Sequence, residues 1–93
     1  MVYKIEPRKE VQIFTSFMEY KLRKNDHKGG WEKRDFKELI ALLIQEVAEL
    51  EEALLTENYA DIMLESADIA NFAMMIAWNA LNLNSFEKEE KNG

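Results

Sequence analysis

The sequence has no cysteine, a single proline, three glycines and one histidine. Without cysteine there can be neither a disulfide staple nor a thiolate metal site, and nothing marks the chain as a secreted, cross-linked scaffold. Long apolar runs are missing too. The stretch Ala67 to Leu81 is shorter than the roughly 20 residues a bilayer requires, and Asp68, Asn71 and Asn79 interrupt it. It reads as a buried helix. Met1 to Arg8 lacks the apolar run of a signal peptide and carries Lys4, Glu6 and Arg8. The expected location is cytoplasmic, with no membrane contact.

A further absence concerns charge of one sign. Between Lys37 and Lys88 there is no Lys or Arg. Residues 1 to 37 hold ten Lys/Arg against six Asp/Glu, whereas residues 38 to 93 hold two against twelve. Acids in the middle of the chain therefore cannot pair with cations at i+3 or i+4, the usual support of a solvated charged helix. Their cation must come from the basic N-terminal third, from another subunit or from a metal. A net charge of -6 argues against nucleic acid, which is bound through a basic stripe.

What is present is helical periodicity within 93 residues, enough for one domain. Pro7 suits a first helical turn, and Val11, Phe14, Phe17 or Met18, and Leu22 follow at helical spacing, so a first helix is expected from Pro7 to Lys24. Asn25 to Trp31, with Gly29 and Gly30 adjacent, reads as a loop. Asp35 followed by Glu38 has capping-box character and opens a second helix, Phe36 to Leu55. Its main stripe is Phe36, Leu39, Ile40, Leu43, Val47, Leu50 and Leu54, with a second strip of Ala41, Ile44, Ala48 and Leu55. A third helix is expected from Tyr59 to Leu83, followed by a frayed polar tail from Asn84 to Gly93. The expected fold is all-α, a small antiparallel helical bundle. Three helices cannot cover two members that are apolar on most sides, which implies a homo-oligomer formed through the second and third helices.

Glu46-Val47-Ala48-Glu49 and Glu65-Ser66-Ala67-Asp68 each place two carboxylates at i and i+3 on one helix face. Such pairs repel, and Glu46 borders the apolar stripe while Asp68 heads a long uncharged run. Removing one acid is expected to relieve that repulsion. Four carboxylates without His or Cys make a hard oxygen site suited to Mg²⁺ or Mn²⁺, and a di-iron bundle would require Glu-x-x-His pairs. Magnesium on carboxylates leaves positions for water and substrate phosphates, which points to phosphoryl chemistry.

These residues resemble the MazG-like all-alpha nucleotide pyrophosphohydrolases, marked by Glu-x-x-Glu, a spacer, and Glu-x-x-Asp. Here the pattern is Glu46, Glu49, 15 intervening residues, Glu65 and Asp68. The flanking Gln45 to Ala53, Ala67 to Phe72, and the loop Lys28-Gly29-Gly30-Trp31 are similar as well, so that the resemblance spans about residues 14 to 80. It implies cleavage of a (d)NTP between the α and β phosphates to (d)NMP and pyrophosphate, Mg²⁺ on the four acids, and dimers or tetramers with sites near subunit contacts. Dimeric dUTPases and phosphoribosyl-ATP pyrophosphohydrolases share the four acids and stay as alternatives. A non-catalytic helical dimerisation module whose acids bind a basic partner is a third.

Within this scheme Glu49 or Glu46 is the general base, with Glu49 favoured for its place on the polar edge of its helix. Lys28, Lys33 and Arg34 are the candidates for the triphosphate, or else ordinary loop charges. Trp31 is either a base-stacking residue or a core anchor. Asn71 either hydrogen-bonds the metal water or nucleotide, or bridges two helices. His27 reads as an exposed loop residue, and Met63, Met74 and Met75 as core filler.

Overall fold

The computed structural model describes residues 5–26 and 29–92, with side chains described as far as residue 83. It contains three helices: α1 (Lys9–Lys24), α2 (Phe36–Leu55) and α3 (Tyr59–Asn92). No strand occurs among the described residues. None of the described helices is long and apolar enough to cross a membrane. His27 and Lys28 lie outside the described residues.

Asp35 acts as expected at the start of α2, its Oδ1 accepting the Glu38 amide at 2.7 Å. Glu38 does not complete the box. Its side chain instead accepts from Arg34 Nη1 at 2.8 Å. Pro7 stands outside α1, whose N-cap is Arg8. At the other end of the chain α3 continues to Asn92, nine residues beyond the expected stop at Leu83. Glu and Lys are good helix formers, and they carry the backbone on where no apolar pattern remains to announce it.

The α2–α3 connection is three residues long and fully hydrogen-bonded. Asn58 N–H donates to Ala53 O at 3.0 Å and Glu57 N–H to Leu54 O at 3.2 Å, the two bonds of a Schellman ending. Asn58 then caps α3, its Oδ1 accepting the Asp61 amide at 3.1 Å. Helix α3 packs on α2 along one side and on α1 along another, and α1 and α2 make no backbone contact with each other. Gly29, at φ 93°, turns the loop between α1 and α2.

On α2 the stripe turned to α3 is Leu39, Leu42, Leu43, Glu46, Leu50 and Ala53, all buried or half-buried. This is rotated about 60° from the stripe expected from apolar content, taking 100° per residue. Phe36, Ile40, Ile44, Val47 and Leu54 are instead exposed. The rotation puts Glu46 in the middle of the inward face. On α1, Phe14, Phe17, Met18 and Leu22 are half-buried as expected, while Val11 is exposed. Met74 and Met75 are half-buried on α3, but Met63 is exposed and fills no core.

Glu57 holds φ 53°, a left-handed conformation that costs a residue with a Cβ about 1 to 2 kcal/mol. Replacing it by glycine removes that cost and adds part of it back as unfolded-chain entropy. Urea unfolding of Glu57→Gly is therefore expected to show a gain of about 0.5 to 1 kcal/mol, with Glu57→Ala near wild type. Equal stability of all three would mean that the turn carries no such strain.

Candidate functional site

Helices α2 and α3 run antiparallel from their short turn, and the side chains they bring together are acids. One carboxylate oxygen from each of Glu46, Glu49 and Glu65 lies within 4.8 Å of the other two. Glu49 is exposed, whereas Glu46 and Glu65 are half-buried. The Oε2 atoms of Glu46 and Glu65 are out of reach of solvent and have no hydrogen-bond partner among the described groups. Two ionised carboxylates cannot serve each other, since neither has a hydrogen to donate. A proton on Glu46 changes that, turning its contact with Glu65 into a hydrogen bond.

The protonation preferences follow. Burial pushes the Glu46 carboxyl up to about 9, and its contacts with Glu65 and Glu49 and the charges of Asp68 and Glu49 push in the same direction. Burial also raises Glu65, with Glu49 and Asp68 adding to it and the hydrogen bond to Glu46 opposing it. Like charges gathered in a half-dry seam favour the neutral acid.

Asp68, the fourth acid of the motif, is outside the close cluster and has a cation of its own. Lys21 Nζ of α1 lies 3.2 Å from Asp68 Oδ2, with both side chains only 16% exposed. Sequence reasoning missed Lys21, because in Lys21-Leu22-Arg23-Lys24 nothing distinguishes it from a solvated helix end. The expectation that losing an acid relieves repulsion thus applies to Glu46, surrounded by acids, and not to Asp68, whose loss would strand a half-buried lysine.

Above α3, between the end of α1 and the middle of α2, is a cleft of about 600 Å³. Glu46, Asp68 and Asn71 border it together with Lys21, Trp31 and Arg34. Asn71 is buried and donates from Nδ2 to Met18 O at 3.0 Å, so it bridges α3 to α1, with its Oδ1 lacking a partner. Two turns on, the buried Asn79 donates to Trp31 O at 3.4 Å and holds the loop down. Trp31 is half-buried, and its Nε1 has no partner. Of the other residues expected to meet phosphate, Lys33 is exposed and does not border the cleft, Arg34 borders it while paired to Glu38, and Lys28 lies outside the described residues.

Compared with protein-family models, curated proteins and solved structures, the chain gives no match. The MazG-like resemblance therefore rests on the residues themselves, and the arrangement is read from its chemistry. Glu46 belongs both to the acid cluster and to the lining of a cleft of nucleotide size, which Glu49 and Glu65 do not border, so a cation on the acids and a polar ligand in the cleft would meet at Glu46.

The raised Glu46 pKa has a consequence for stability. Its folded value of about 9 exceeds its ordinary 4.5, so between these values the folded state holds a proton that the unfolded state has released. The stability contributed by this proton is complete below pH 4.5 and is lost as pH rises toward 9. Thermal melts without divalent ions are expected to show wild type losing stability from pH 6 to 9 and Glu46→Gln losing less. Parallel pH profiles for the two proteins would contradict the placement of Glu46.

Proposed function

We propose that this chain is a magnesium-dependent nucleoside triphosphate pyrophosphohydrolase of the MazG-like kind, converting a (d)NTP to (d)NMP and pyrophosphate. The observation that carries the reading is the pair of solvent-shielded, partnerless oxygens, Glu46 Oε2 and Glu65 Oε2, inside a cluster completed by Glu49. Uncompensated buried carboxylates are costly, and a divalent cation is the partner that an all-oxygen donor set suits best. Glu46, Glu49, Glu65 and Asp68 would hold it.

When bound, such an ion supplies polarisation of the phosphoryl group and offsets the repulsion between the acids and the triphosphate. The remaining work belongs to the chain. Glu49, the exposed member of the cluster, accepts the proton of the attacking water at a carboxylate oxygen. The water oxygen bonds to the α phosphorus, the bond from that phosphorus to the bridging oxygen breaks, and pyrophosphate leaves with the electron pair. Trp31, anchored through its carbonyl to Asn79, forms a wall on which a base can stack. Asn71 keeps α1 and α3 together beneath the cleft.

Assembly as a homodimer or homotetramer belongs to the same proposal. The chain exposes 7635 Å², against about 5,600 Å² for a compact monomer of its mass. Ile40, Ile44, Leu54, Leu55 and Tyr59, all between 45% and 82% exposed, contribute to the excess. These residues follow the outer side of α2 and its turn into α3. A second copy of the same face is the occupant that would cover them symmetrically.

Three measurements test this reading. Incubation of a triphosphate panel with Mg²⁺ should give monophosphate and pyrophosphate, and orthophosphate as the first product would refute the reaction. Glu46→Ala should lower turnover by about a thousandfold or more, as expected when a metal site is dismantled. Light scattering should report at least twice the 10.9 kDa chain mass. A monomer that turns over normally would show the outer face of α2 to have no role in assembly.

A further inference from the structure

The last turn of α1 carries three cations, and they do different things. Arg23 pairs with Glu19 at 3.4 Å on the open surface, and Lys24 lies 5.9 Å from the centre of the Tyr20 ring. Lys21 alone among them is turned inward. Its ammonium group meets Asp68 at 3.2 Å, and both residues border the cleft beside Glu46. Among the described residues it is also the one Lys or Arg that pairs with an acid of the motif.

We propose that Lys21 is the phosphate-binding cation of this cleft, held on Asp68 until a magnesium-bound polyphosphate draws it across; this rests on the hydrolase reading above. Four acids facing a triphosphate leave an excess of negative charge that one divalent ion does not cancel. Arg34 also borders the cleft, but its partner is Glu38 at the start of α2 and not an acid of the motif, and Lys33 lies outside the cleft lining. An ammonium group has three N–H donors, so Lys21 can keep one on Asp68 while giving the others to phosphate oxygens. With its side chain only 16% exposed, the stem is held by its surroundings and the charge is already in place.

Lys21 and a divalent ion then compete for the same carboxylate, and that gives the lysine an unusual signature. Removing it should help the bare ion and harm the phosphate ligand. A lysine that merely clips α1 to α3 would weaken both together when removed, because the cleft would loosen.

Calorimetric titration of wild type and Lys21→Met, first with magnesium chloride alone and then with pyrophosphate at saturating magnesium, separates these cases. The expected result is tighter magnesium binding by Lys21→Met, with pyrophosphate weakened about tenfold or more through loss of a charged hydrogen bond. Unchanged pyrophosphate affinity, or parallel weakening of both ligands, overturns the proposal. Should Lys21→Met fail to fold, Lys21→Gln keeps a hydrogen bond to Asp68 without the charge and carries the same titrations. A wild-type protein that binds neither ligand overturns the hydrolase reading itself, and this inference with it.

Discussion

On α2 the side chains turned to α3 are Leu39, Leu42, Leu43, Leu50 and Ala53, and Glu46 stands in the middle of them. Packing two helices along an apolar seam with a carboxylate at its centre sets the terms for everything nearby. Opposite is Glu65, another carboxylate, and the two shielded oxygens have no donor between them. Such a seam stays closed only if a proton or a cation enters it. Many proteins would place an aliphatic residue at position 46 and gain stability. That this chain keeps two acids there is the physical reason for seeking its function at this point.

The third helix answers the division of charge along the chain. Helices α2 and α3 form a long packed hairpin, yet neither has a basic residue over its motif region. Helix α1 brings one in. Its backbone packs close to α3 and not to α2, and two specific ties hold it there, Lys21 to Asp68 and Met18 O to Asn71. Position and charge arrive through the same helix, so the basic third of the chain is part of the site's electrostatics as well as of its packing.

Much of this was legible beforehand, for reasons that differ by element. The α2 boundaries follow from Asp35 as a cap and from the turn residues Thr56 to Asn58, which are local chemistry. The four acids stand out because their spacing is that of a helix face. The direction in which α2 turns was not legible, because hydropathy gives Val47 or Ile40 the same weight whether it meets α3 or faces outward. Lys21 was hidden for the opposite reason. It belongs to a run of charges, and only the packing of α1 against α3 selects the one that turns inward.

The short turn also carries information about length. Counting outward from Glu57, Glu49 and Glu65 are each eight residues away, and Glu46 and Asp68 are each eleven. At 1.5 Å of rise per residue, the first two stand at about 12 Å and the second two at about 16 Å along the two arms. The hairpin thus works as a folded ruler whose marks bring Glu65 within reach of both Glu46 and Glu49 and leave Asp68 for Lys21. One residue added to a single arm would slide its marks by a step and swing them about 100° around the axis. Drift in the length of this chain is therefore tolerable ahead of Met18 and after Asn79, but between Glu46 and Asp68 the arms can change only together and by whole turns.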